Sequence, residues 1–312
     1  MSWTQGPWGR PCKTARSPAP SMGAALPAVM PCPTPTRVVH GAVLTGLCLG
    51  LASGAALAQL TALATAPTPT RFEGAVGLTL RHGPAFLGSS DLGYHLTPAG
   101  FLRYGRISLT GSGGFTTRTS DDVERGLAAE LARRGKFRVS LGLRFDSGRS
   151  DSDSPELAGM GDIRKTVRAR WSARWDPNPQ WRVTAGISSD LLGRGGGVVG
   201  DLGATRRWQW GPGESVALGV ALTGAGQRYL QNWHGVSADQ ARTSGLPAFQ
   251  ASSGLRDVQV SAVWRTEFEA WGQPFGAFVG AGHTRLLGPA ADSPLTRKRD
   301  FGTAAGAVVW RF

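Results

Sequence analysis

Beyond residue 58 the sequence holds no cysteine; its three, Cys12, Cys32 and Cys48, all precede Gln59. A chain beginning at Gln59 has no disulfide, no thiol nucleophile and no thiolate metal ligand, as suits an exported bacterial protein in an oxidising compartment. Charge is scarce at 18% of residues, and acids are scarcest, with 21 Asp and Glu against 34 Lys and Arg, a net of +13. Such a balance raises nucleic acid or an anionic surface as partners. Yet no basic run is interleaved with stacking aromatics, which argues against nucleic acid. The arginines recur instead at every second position. Past Gln59 no window is apolar enough for a spanning helix.

The one apolar run comes early. Residues 41–58 read GAVLTGLCLGLASGAALA, with Arg37 and His40 as the polar flank and Ala56-Leu57-Ala58 as a small-x-small cleavage site before Gln59. The run is too short and too rich in Gly and Ala for a permanent membrane helix. Residues 1–58 are thus expected to be an N-terminal extension and signal peptide, with Met30 as an alternative start. Residues 59–312 are expected to be a single outer-membrane β-barrel. Leu47 stands before Cys48 where a lipoprotein signal wants a small residue, which argues against lipidation.

After Gln59 the hydrophobic period is two. Phe137, Val139, Leu141, Leu143 and Phe145 alternate with Arg138, Ser140 and Arg144; Val167, Ala169, Trp171, Ala173 and Trp175 alternate with Arg164, Arg168, Arg170 and Arg174. The pattern predicts twelve antiparallel strands near 71–81, 97–104, 106–116, 123–134, 136–146, 163–175, 180–190, 198–209, 214–225, 255–268, 273–286 and 301–312. These lengths match tilted strands that cross a hydrocarbon layer. Short connections alternate with long ones (82–96, 117–122, 147–162, 191–197, 226–254 and 287–300), which predicts short periplasmic turns and longer extracellular loops.

Aromatic residues gather near the short turns. Trp175, Trp181, Trp208, Trp271, Trp310 and Phe312, with Phe72, Tyr104, Phe137 and Phe268, predict a periplasmic belt at headgroup level. The amphipathic last strand ends on Phe312 and resembles the signal read by the barrel assembly machinery. Guanidinium groups at mid-membrane would each cost about 2–4 kcal/mol, so Arg164, Arg168, Arg170 and Arg174 are expected to face the lumen. They would either select anions or pair with Glu73, Glu124, Glu130, Asp201, Asp257 and Glu267 in a filled interior.

The loops are more particular than the strands. Phe86-Leu87-Gly88-Ser89-Ser90-Asp91, Gly159-Met160-Gly161-Asp162-Ile163 with Thr166-Val167, the stretch Asp190 to Gly203, segments within 229–258 (Gly235-Val236-Ser237, Ser244 to Ala248, Gly254 to Val258) and RLLGPAADSPL at 285–295 occur in order. Together they resemble the MipA/OmpV family of MltA-interacting outer-membrane proteins across nearly the whole mature chain. The resemblance implies outer-membrane lipid as surroundings. It also implies a scaffold linking a murein lytic transglycosylase to a murein synthase, with no catalytic residues to carry over. The basic run Arg164, Lys165, Arg168 and Arg170 departs from the family's pattern.

No enzyme site is legible. His82, His95 and His283 fall near one rim, but no Ser and acid are spaced to make a triad, and no HxxxH is present to hold a metal. Gly195-Gly196-Gly197 lacks the Lys and helix of a phosphate-binding loop. No catalytic, cofactor-binding or metal-binding residue is expected. Ser237 and Gln240 suggest a capped helix in the fifth long loop, serving either as a lid or contact surface or as a packed cap that plugs the mouth. The sequence therefore favours a murein-enzyme scaffold, with a narrow channel for small anionic solutes as the alternative.

Overall fold

The computed structural model describes residues 72–111 and 126–312. The signal segment, its cleavage site, Glu124 and the second long loop lie outside the described residues. Twelve strands form one closed antiparallel barrel in which each strand pairs with its sequence neighbours and the first pairs with the last. They are β1 (Phe72–Pro84), β2 (Leu92–Tyr104), β3 (Ile107–Thr110), β4 (Gly126–Arg134), β5 (Phe137–Asp146) and β6 (Thr166–Asn178). Next come β7 (Trp181–Asp190), β8 (Val198–Gly211), β9 (Glu214–Ala225), β10 (Gly254–Ala270), β11 (Gln273–Leu286) and β12 (Asp300–Arg311). Closure leaves no edge, so every backbone group can be satisfied within the sheet.

Register sorts the side chains. Leu141, Trp171 and Ile187 form one cross-strand row, and Gly142, Arg170 and Ser188 the next. The first row belongs to the outer face, where Trp171 is 50% exposed. Val76, Leu78, Leu80, Leu218, Val220, Val260, Val279 and Val308 continue the exposed apolar surface around the barrel. A water-soluble protein rarely shows a contiguous apolar surface of this extent.

The inner face is uneven. Ala75, Ala99, Phe101 and Val309 make one apolar cluster, and Val263, Phe278 and Ala307 another. They line the wall built by β1, β2 and β10 to β12. The wall built by β4 to β8 carries arginines and acids instead.

Two expectations need correction. The first long loop spans only 85–91, because the β1–β2 ladder runs on to Pro84 opposite Leu92. Gly83, Pro84 and Gly93 have turn chemistry, but His82 and Tyr94 stay in register, with ring centroids 4.5 Å apart and planes tilted by 34°. Arg164 is not on β6: pairing with β5 ends at Asp146 opposite Thr166, and Ile163 bridges Arg149 instead. Arg164 is exposed in the connecting segment.

Candidate functional site

The long loops pack on one another at one end of the barrel. The fifth long loop holds α1 (Gln227–His234) and α2 (Ala238–Ser244), and the sixth holds the single turn α3 (Gly288–Ala291). α2 is capped as its sequence suggests: Ser237 and Gln240 close a reciprocal capping box, and Gly245 ends the helix at a φ of 73°. In the third long loop, Ser150 and Ser154 cap two short 3-10 turns (Asp151–Asp153 and Pro155–Leu157).

Phe86, Leu157, Met160, Val236 and Leu295, drawn from four loops, form one buried cluster. Tyr229, Leu230, Ala251 and Ala290 form a second against Ala225. Polar bonds tie the same loops together. Ser89 Oγ donates to Glu156 at 2.6 Å, and Ser90 Oγ donates to the same carboxylate. Gln240 Nε2 donates to the Met160 carbonyl at 2.7 Å, and Ser293 Oγ to that of His234 at 2.5 Å. Arg297 N and Lys298 N both donate to the Gly88 carbonyl, at 2.8 and 3.0 Å. Burial opposes the charge on Glu156, yet the Ser89 and Ser90 donors outweigh it and hold the carboxyl below its ordinary range.

Stacked cations and rings run through the cap. The Arg149 guanidinium lies 5.9 Å from the Phe86 ring and 6.0 Å from that of Trp233. Trp233 stacks on Tyr229 at 5.7 Å. Tyr229 in turn has Arg168 at 5.5 Å and Arg256 at 5.6 Å from its ring. Arg168 belongs to β6 and Arg256 to β10, strands four places apart around the barrel. Four steps of about 4.8 Å span about 19 Å of wall. One ring reaches both guanidiniums only from within the mouth, so α1 sits inside it. The fifth loop is thus packed against the other loops and the barrel wall.

His234, at the end of α1, is 3% exposed. Burial, then the nearby charges of Arg256 and Arg149, push it down to about 3, so it is neutral at physiological pH. Arg149 is brought down to about 10, chiefly by burial, and stays charged.

Below the plug the arginines of β6 are engaged on the inner face. Arg168, 6% exposed, donates to the Gly196 carbonyl at 2.6 Å and lies 3.8 Å from Asp146. Arg170 forks onto Asp201 at 2.6 and 2.8 Å. Arg174 and Arg182 share Asp176 at 2.8 and 2.9 Å. Arg311 meets Glu267 at 2.7 Å, and Arg133 meets Glu130 at 2.7 Å. Asp201, Glu267, Glu130 and Asp257 are among the acids expected from sequence. Asp146, Asp176 and Asp190 were not expected, because they sit at strand ends that resemble ordinary turn residues. Asp190 accepts from Thr166 and from Gly196 N, and so shapes the fourth loop beside Arg168.

The residues expected to form the aromatic belt lie at the short-turn end. Trp175 and Trp181 flank the β6–β7 turn, Trp208 is near the end of β8, and Trp310 and Phe312 close the chain. Trp271 occupies the β10–β11 turn at a φ of 51°, a left-handed conformation that disfavours a large side chain. Among the described histidines, His82 lies against Tyr94, His95 pairs with Arg81 across the β1–β2 ladder, His283 lies 3.4 Å from Asp300, and His234 is in the plug.

The loop portions of the five sequence segments singled out earlier lie in this cap: Phe86 to Asp91, Gly159 to Ile163, Asp190 to Gly197, Gly235 to Ala248 and Leu286 to Leu295. Residues 76–312 match the family described as MltA-interacting protein MipA. The chain belongs to that family. It is an outer-membrane β-barrel protein of the MipA family. Comparison with curated proteins finds no match. Among solved structures it is similar to the COG4313 outer-membrane channel from Pseudomonas putida F1 (12% identity, 78% of this chain and 96% of that one, TM-score 0.39). It is also similar to Salmonella typhi OmpF in complex with daunomycin (11%, 78% and 97%, TM-score 0.35). A third is OmpT, an outer-membrane protein of Vibrio cholerae (9%, 78% and 97%, TM-score 0.33).

Proposed function

We propose that this MipA-family barrel is a non-enzymatic outer-membrane anchor. Its short-turn end faces the periplasm and holds a murein lytic transglycosylase, and through it a murein synthase. The family's description as MltA-interacting names the kind of partner. The observation that carries the reading is the seated plug. α1 is braced inside the mouth between Arg168 and Arg256, so the barrel is built for rigidity more than passage. The ion-paired wall beneath it supports the same reading. The test is affinity capture of the tagged, full-length chain from detergent-solubilised envelopes. A lytic transglycosylase retained above an unrelated tagged barrel is the expected result. Its repeated absence, with other periplasmic proteins recovered normally, overturns the proposal.

The excess of arginine over acid on the β4 to β8 wall favours a second reading, a narrow anion channel. There the plug would be a gate rather than a fixture.

A further inference from the structure

Arg206 and Arg207 are neighbours on β8 that turn to opposite faces. Arg206 shares the outer row with Leu202 and Trp210, both exposed, and is itself exposed. It lies near the short-turn end, in register with Trp181 of β7. Its guanidinium carbon is 5.6 Å from the Trp181 ring centroid and 4.8 Å from that of Trp208. Among the described residues no carboxylate lies within ion-pair distance of it. The nearby acids are engaged elsewhere: Asp176 by Arg174 and Arg182, Asp201 by Arg170, and Glu214 by the Trp210 indole N–H at 2.9 Å.

We propose that Arg206, with Trp181 and Trp208, binds the phosphate of an anionic glycerophospholipid in the leaflet at the short-turn end. The outer face is where lipid meets the barrel, and a guanidinium there draws its counter-ion from the lipid. Indole rings hold a guanidinium by cation–π attraction and leave its N–H edge free. That edge forks onto two phosphate oxygens, which a point-charge ammonium does not do. Away from the headgroup, the paired outward rows Val183–Ala204 and Ala185–Leu202 continue as an apolar track for an acyl chain. The Arg206 cation favours a headgroup of net negative charge over a zwitterionic one.

The test uses the full-length barrel in nanodiscs of equal phosphatidylglycerol and phosphatidylcholine. The protein is extracted into mild detergent and its retained lipid is quantified by mass spectrometry. Wild type is expected to retain phosphatidylglycerol several-fold over phosphatidylcholine. Arg206→Gln returns the ratio to that of the bulk. Arg206→Lys falls between, because it keeps the charge and loses the fork. Arg134→Gln, at an exposed arginine on β4, leaves the enrichment intact. Each variant is scored only as the compact form in an unheated gel. Should Arg206→Gln not assemble, Trp208→Leu is the substitute, with a fall in enrichment expected. Wild type at the bulk ratio, or full enrichment in the scored Arg206 or Trp208 variant, overturns the proposal.

Discussion

Arg149 donates through Nη1 to the main-chain carbonyl of Trp233, 84 residues further along the chain, at 2.9 Å. The bond fastens the third long loop to α1, and the same guanidinium rests against the rings of Phe86 and Trp233. Arg149→Ala removes a charge-assisted hydrogen bond and two ring contacts. The expected cost is about 2 kcal/mol, borne by the cap and not by the barrel. Limited proteolysis of the reconstituted protein should then cut within 226–253 about 30-fold faster, while the thermal transition of the barrel stays put. An unchanged cutting rate would show that the latch carries no energy.

Acid should open the same cap. His234 sits at about 3 in the folded chain against an ordinary 6.5, so the folded state binds fewer protons. The cap is most stable above pH 6.5 and weakens as pH falls from there toward 3, by about 2 kcal/mol at pH 5. Glu156 adds to this only at lower pH, because its carboxyl is held below its ordinary range. Hydrogen exchange of 226–253 should rise on going from pH 7 to pH 5, after correction for intrinsic rates, and His234→Gln should flatten the rise. Equal slopes in both proteins would remove His234 from the account.

The Arg170–Asp201 fork is a two-bond ion pair of the inner wall. Gly186 lies so close that any side chain there would meet the guanidinium. Arg170→Leu leaves Asp201 without its partner. A fully buried pair would lose about 3–5 kcal/mol. Asp201 keeps 28% of its side-chain exposure, so about 2 kcal/mol is expected. The measurement is urea unfolding in lipid vesicles. Asp201→Asn in the Arg170→Leu background should recover part of the loss, and no recovery would deny the coupling.

The barrel was legible because alternation is a property of sequence. On β6, Val167, Trp171 and Trp175 take one face and Arg168, Arg170 and Arg174 the other, and no other register avoids guanidiniums in hydrocarbon. The cap was legible only in pieces. Ser237 and Gln240 announced α2, but nothing announced α1, whose N-cap is Gly226 with no side-chain bond. Its helix is set by Tyr229, Leu230 and His234 packing into the mouth, contacts made across distant loops. The aromatic-cation stack is illegible for the same reason, since Phe86, Arg149, Tyr229 and Arg256 meet only once the barrel closes. Asp176 was hidden differently: a lone Asp before Pro177 looks like a turn residue until Arg174 and Arg182 are seen to share it.

The most direct test of the central claim, an anchor with a seated plug, is conductance of the purified full-length protein in a planar bilayer. The account predicts silence at moderate voltage, because α1 is held in the mouth by Arg168, Arg256 and Arg149. Steady, anion-selective steps from the wild-type protein would contradict it and favour the channel reading.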